Sequence, residues 1–445
     1  MKYFSSTCAL FVLTGLFAFG AFAQDEQDQK RSVKNAYNEV LSLSSPADSG
    51  VTLELVLTEV LANNPSLHAA RSRIKSAAAR ISQARAWDDP QAGVEFFATP
   101  VTSINPLAEG METDYFLQQM IPFPGKKGLM AGATEANAKM IEQSALAVER
   151  NLVAETKRAY AMLYSAQRRA EVNEENQRLL DQIIASARSK YSVGRGNQGD
   201  VLKVQVELAS LQNERSSLGQ EVTSAAAMLN ALRNLPANTA VGTVAQISPV
   251  EPPNVLDSLT HLALDSRPEL VAMKYEIEMN RLELAASRRE WFPDFMIKGT
   301  YKQMKDQTDQ WAAMIGINIP IAPWGIGKYS GKVEENQANV KTSEELLLNM
   351  QNMVRSEIRD AYAKVQSRWQ QIGRYRQTIL PQAQQALDAN LASYRIDKID
   401  FLSLLDSFRM LQMFRMEYYM AVGDYLSSLA TLERAVGTQN ISTVK

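Results

Sequence analysis

The 445-residue chain has one cysteine and two histidines. Cys8 lies inside an N-terminal segment that is expected to be removed, so the mature chain is left without a thiol, a disulfide or a cysteine-based metal site. That suits an oxidising compartment without requiring one. His68 and His261 are the only imidazoles. Imidazole is the usual general base and metal ligand near neutral pH, so its scarcity argues against a metalloenzyme or a triad hydrolase. No clustered His, Cys or carboxylate motif stands out, and the expectation is no catalytic residue, no cofactor and no metal site. After the N-terminus there is no apolar run of about 18 residues, hence no expected membrane-spanning helix. The net charge of −2 carries no basic bias, which excludes nucleic acid as an expected partner.

The first residues read as a secretory signal. Lys2 supplies an early positive charge, an apolar core runs from Ala9 to Phe22, and Ala21-Phe22-Ala23 precedes Gln24 as an A-x-A exit. A membrane anchor would need a longer apolar run and no polar stretch directly after it, whereas Gln24 to Lys34 is polar. A lipidated form would need cysteine where Gln24 stands. The expected division is a signal peptide at 1–23, a polar segment at 24–51, a first repeat at 52–235, a linker at 236–255, a second repeat at 256–437 and a tail at 438–445.

The two repeats rest on landmarks about 200 residues apart. Pro65 and Pro268 interrupt helical patterns, and Pro90 and Pro293 end them, each pair separated by 203 positions. Pro122 pairs with Pro320, Tyr160 with Tyr362, Tyr191 with Tyr394, and Asp200-Val201-Leu202 with Asp400-Phe401-Leu402. The spacing drifts only where loops are expected, which is how a duplicated fold accumulates insertions. Each repeat predicts a helix of about 35 residues, two short strands, a very long helix, a tight turn and a closing helix. The proline-free stretch from Leu129 to Val193 predicts one helix on the order of 100 Å long. Its counterpart, Tyr329 to Arg395, carries Pro381, which predicts a kink. The closing helices show a 3-4 apolar stripe, Val201, Val204, Leu208, Leu211 onward and Phe401, Leu404, Phe408, Leu411 onward, which is the seam of a coiled coil. Arg215 and Arg415 break the stripe at equivalent places. They read as snorkelling seam residues, with an interhelical salt bridge as the other reading.

Strands are expected near 91–100, 112–121, 294–303 and 311–320. The third alternates Phe295, Ile297, Gly299 and Tyr301 against Met296, Lys298, Thr300 and Lys302, and the second alternates poorly. About ten tilted residues span roughly 25 Å, the apolar height of an outer-membrane barrel. Four strands cannot close such a barrel, and open edges are prohibitive in lipid, so spanning strands imply an oligomer. Three copies would supply twelve strands.

These residues resemble the TolC-type outer-membrane efflux family across roughly Thr52 to Gly437. Gln119-Met-Ile-Pro122-Phe123-Pro124-Gly125-Lys-Lys-Gly128 is similar to the strand-to-helix motif of its heavy-metal subgroup, and Tyr191 to Leu202 is similar to its periplasmic turn. The resemblance implies a mainly α fold with a small β part and a homotrimer: a 12-stranded β-barrel in outer-membrane lipid, continued by a 12-helix coiled-coil α-barrel in the periplasm of a Gram-negative-type cell. It also implies a periplasmic adaptor (membrane fusion) protein and an inner-membrane efflux pump as partners, in a passive exit duct for small toxic molecules or metal ions. A type I protein secretion duct and a periplasmic coiled-coil scaffold are the alternatives.

Site expectations follow. Pro122, Phe123, Pro124 and Gly125, with Pro320 and Gly325, form the barrel-to-tunnel turns. Gly194, Arg195, Gly196 and Gly199 form an adaptor-facing tip whose glycines permit positive φ. The family's gate is a D-V-L-D pattern at the second-half turn, which here reads Asp400-Phe401-Leu402-Ser403, so the resemblance places a periplasmic aperture at Asp400, Ser403, Asp397 and Asp200. The plainer reading of Asp400 is a helix cap. Met410, Met413, Met416 and Met420 read as gap-filling packing rather than a Cu(I) site, and Trp87 and Trp291 as core.

Overall fold

Each of the two opening helices breaks at its proline. The computed structural model describes residues 50–97, 110–252, 255–305, 307–320 and 323–438. The expected signal peptide, most of the polar segment and nearly all of the C-terminal tail lie outside these. Helices α1 (Leu53–Asn63) and α2 (Pro65–Arg85) meet at Asn64, and α5 (Leu256–Ser266) and α6 (Pro268–Arg289) meet at Arg267. Proline has no N–H to continue a helix but suits the first position of a new one, and both prolines occupy that place.

The remaining elements are strands β1 (Gln91–Phe97) and β2 (Glu112–Ile121), helices α3 (Lys126–Ser192) and α4 (Gln198–Leu232), then strands β3 (Phe295–Met304) and β4 (Gln310–Ile317). Helix α7 (Ile326–Arg374) is followed by a π-helical turn (Tyr375–Ile379), α8 (Leu380–Arg395) and α9 (Phe401–Val436). The same order of elements thus runs twice. At 67 residues, α3 is about 100 Å long. It starts three residues before the expected Leu129, because Gly125 supplies the turn that launches it. The expected kink at Pro381 is accommodated by the π turn directly before it. Leu380 N–H reaches the carbonyl of Tyr375, one residue further back than in an α-helix, which relieves the clash a proline ring makes with the preceding turn.

Helix α3 is the spine. Helices α2 and α6 pack against its strand-proximal half, α4 and α9 against the rest, and α7 and α8 lie against α9. The 3-4 stripe makes this seam: Val204 and Leu211 of α4, and Leu404, Phe408 and Leu411 of α9, are buried with Leu180 and Ile183 of α3 and Leu387 of α8. Arg215 and Arg415 leave the seam and reach acids on α3, Glu174 at 3.0 Å and Glu175 at 3.6 Å. The salt-bridge reading of these two arginines therefore holds. Where α9 crosses α3, Gly423 lies against Ser165, whose Cβ would stand 2.7 Å from an added Cβ.

The closing helix of each half abuts the opening helix of the same half. The Asn64 amide donates to Leu232 carbonyl at 2.9 Å, and Arg267 Nη1 donates to Ala435 carbonyl at 3.1 Å, each across 168 residues. Both contacts satisfy carbonyls that a helix C-terminus otherwise leaves unpaired.

Val51 and Thr52, with residues 242–246, form a small unit of their own. In it Val51 bridges Val244 in parallel, and its N–H donates to Thr243 carbonyl at 2.8 Å. Further along the expected linker, Tyr164 and Tyr425 donate their phenols to the carbonyls of Ile247 and Val250. Burial pushes the Tyr425 phenol up to about 12.

Candidate functional site

The four strands form one antiparallel sheet in chain order, β1-β2-β3-β4. Register aligns their alternation. Val94, Tyr115, Tyr301 and Trp311 stand in one row, Ala92, Leu117, Gly299 and Ala313 in the next, and Ile121, Phe295 and Ile317 in another. This face is apolar and open, with Trp311 at 81% and Ile315 at 78% exposure. Leaving ten such half-exposed side chains in water forfeits on the order of 10 kcal/mol, as much as the whole net stability of a typical domain. The opposite face carries charge. Lys298 reaches Glu95 at 3.2 Å and sits 4.0 Å over the Phe116 ring, while Lys302 binds Glu112 and lies 3.2 Å from Asp114. Among the described residues β1 pairs only with β2 and β4 only with β3, so both outer edges are open.

The sheet joins α3 through one carboxylate. Asp294 accepts Phe123 N–H at 2.8 Å and Lys126 Nζ at 2.8 and 2.9 Å. Phe123 stacks on Phe292 with centroids 4.7 Å apart. Pro122 and Pro124 come where the β2–β3 ladder ends, at the Ile121–Phe295 pair. Gly125 has φ +87°, and Arg289, which donates to Pro124 carbonyl at 2.8 Å, fills the space a side chain would need. The second turn is different. Gly325 has φ −102°, open to any residue, and Pro320 is buried. Trp87 departs from the expected core position at 59% exposure, since α2 ends two residues before it; Trp291 is half-buried against Tyr329, 5.6 Å away.

At the far end of α3 the two interhelical turns lie together. Lys190 Nζ donates to Asp397 carboxylate and Tyr394 carbonyl and sits 4.2 Å over the Tyr394 ring. The Lys190 hydrogen bond, and after it the charges of Lys190 and Arg195, hold the Asp397 carboxyl below its usual range. Asp400 caps α9: its Oδ1 accepts Ser403 N–H at 3.1 Å and the Ser403 hydroxyl. Those two bonds, the hydroxyl's first, hold the Asp400 carboxyl below its usual range. Asp200 is not a cap. It lies in the first turn of α4, which is capped by Asn197 accepting Gly199 N–H at 3.0 Å.

The glycine expectation holds at one position of three. Gly194 has φ +76°, whereas Gly196 is needed for close approach, an added Cβ meeting Tyr191 N at 2.9 Å, and Gly199 is helical. The positive φ in the second turn belongs to Asp397, at 61°. Aspartate is among the residues that tolerate this region, which is how that turn closes without a glycine.

The sequence model described as "outer membrane efflux protein" matches residues 56–235 and again residues 259–438. The chain belongs to the outer membrane efflux protein family. It is an outer-membrane efflux factor of TolC-like fold that extends into the periplasm. No described helix of this efflux protein is long and apolar enough to cross a membrane. It is 21% identical over 387 residues to the cobalt-zinc-cadmium resistance protein CzcC of Cupriavidus metallidurans, covering 87% of this chain and 90% of that one. Its fold matches the CusC crystal structure with a TM-score of 0.74 at 19% identity, covering 89% of this chain and 96% of that one. It matches the outer membrane protein VceC of Vibrio cholerae with a TM-score of 0.72 at 18% identity, covering 87% and 96%.

Two residues of this efflux protein that sequence reasoning passed over are Asp294 and Lys190. Asp294 follows Phe292-Pro293, the counterpart of Asp89-Pro90, but the position after Pro90 is Gln91, so the duplication gives no hint of a carboxylate there. Lys190 meets a partner 207 residues away, which no local pattern reports.

Proposed function

We propose that three copies of the chain close into one duct, a twelve-stranded barrel in the outer membrane continued by twelve helices in the periplasm, through which cargo leaves passively. The observation that carries this is the sheet, with a mainly apolar face, interrupted by Gln119, and two edges open among the described residues. In lipid an unpaired strand edge costs several kcal/mol per group, so β1 of one copy must pair with β4 of the next. The charged face, with Glu95, Glu112, Asp114, Lys298 and Lys302, then lines the pore. The N-terminal signal peptide delivers the chain across the inner membrane.

The periplasmic tips receive an adaptor that connects the duct to an inner-membrane pump. Tyr191, Val193, Leu202, Val206, Ile396 and Leu402 are exposed apolar residues beside the two turns, and they support a protein partner there. Asp397, Asp400 and Ser403, with Asp200 nearby, form the resting aperture. Two metal-resistance relatives favour heavy-metal cations as cargo over drugs or proteins: CzcC and the nickel-cobalt-cadmium resistance protein NccC.

Cysteine cross-linking tests the closure. In one chain β1 and β4 are three strand spacings apart, about 14 Å, too far for a disulfide. Ala92→Cys combined in turn with Ala313→Cys, Ile315→Cys or Ile317→Cys should give covalent products that stop at three chains. Products absent in every register, or a ladder running past three, contradict the duct.

A further inference from the structure

We propose that the groove between α4 and α9, over α3, binds a soft monovalent metal ion, Cu(I) or Ag(I). Met413, Met416 and Met420 of α9 are spaced by three and four residues, so they share one helix face. All three line a groove of about 400 Å³, together with Glu214 of α4 and Glu417 of α9. Within a single chain Met413 and Met420 are about half exposed, at 49% and 48%, so neither fills a gap in that chain's own core.

The charge pattern of the groove favours a cation. Its two arginines are already neutralised by acids that do not line it, Arg169 by Glu221 at 2.6 Å and Arg409 by Glu207 at 2.9 Å. Its two acids are held by neutral donors. Glu214 accepts from Asn173 and Gln412, each at 3.1 Å, and Glu417 accepts from the Tyr375 phenol at 2.7 Å. Two negative charges therefore stand beside three thioethers.

The ligand set selects the metal. Calcium and magnesium need six or more oxygens. Zinc prefers imidazole and thiolate, neither of which is present in the groove. Thioether sulfur is a soft ligand that prefers Cu(I), and Ag(I) shares that preference without redox chemistry. Neutral thioethers lose no proton on binding, so affinity should be flat across neutral pH, unlike that of a histidine or cysteine site. The site goes beyond the duct reading and is read on metal binding by the assembled protein, whatever the cargo.

The test is Ag(I) titration of the full chain, extracted in detergent, by calorimetry. Wild type should bind about one ion per chain. Met413→Leu, Met416→Leu and Met420→Leu together should abolish this binding, while Met410→Leu, outside the groove, should leave it unchanged. Absence of binding to folded wild type, or equal binding by the triple variant, overturns the proposal. Should the triple variant fail to assemble, X-ray absorption of Ag(I)-loaded wild type decides: sulfur neighbours support the site, and an oxygen and nitrogen shell alone overturns it.

Discussion

Lys190, at the end of the first long helix, binds the carboxylate of Asp397 in the second turn, 207 residues away in the chain. This contact ties together two tips that the covalent chain leaves independent. Asp397→Asn should loosen them, giving faster protease cleavage at 193–199 and a higher resting conductance. The same contact sets a pH dependence. The folded Asp397 carboxyl titrates below its ordinary value, so its contribution is present above the usual aspartate range near 3.9 and is lost as pH falls through the lowered folded value. Conductance rising only on acidification below about pH 4, and not rising further in Asp397→Asn, is the expected pattern.

Asp400 carries a cap and a charge, and the two roles separate by substitution. Serine caps helices about as well as aspartate but carries no charge. Asp400→Ser should leave trimer stability unchanged while altering resting conductance, cation selectivity and block by trivalent cations in planar bilayers. Asp400→Ala should in addition destabilise the tip. Channel properties identical to wild type in both variants would remove Asp400 from the aperture.

Arg195 and Gly196 stand at the tip, where a partner would meet the chain. Arg195→Glu should abolish efflux, measured as metal sensitivity of cells, while the channel still assembles; Gly196 is left in place because a side chain there would meet the Tyr191 backbone. Unchanged efflux would mean that the turn is only a turn.

Gly125 and Gly325 occupy equivalent places but different conformations. Gly125→Ala puts a side chain at φ +87° against Arg289 and should cost about 1 kcal/mol or more, seen as a lower melting temperature. Gly325→Ala, at φ −102°, should be neutral within about 0.5 kcal/mol.

The repeated layout was legible in the sequence because its signals are local: a proline at the start of α2 and of α6, the 3-4 stripe of α4 and α9, and the alternation of β3. β2 spans the expected 112–121, whereas β3 runs one residue later than expected and β4 starts one residue earlier and stops at Ile317, since alternation does not mark where pairing ends. What was not legible depends on distant partners. Lys190–Asp397, Asp294–Lys126 and the partnering of Arg215 with Glu174 are set by which helices lie side by side. The glycines of the first turn misled for a related reason. Composition gives three of them, but only Gly194 uses its left-handed freedom, and in the second turn Asp397 takes that conformation instead.

The central claim is that four strands per chain become twelve in a closed barrel. Native mass spectrometry of the protein extracted from outer membranes in mild detergent tests it most directly. The account predicts a single assembly of three processed chains; a monomer, a dimer or a ring of any other number would contradict it.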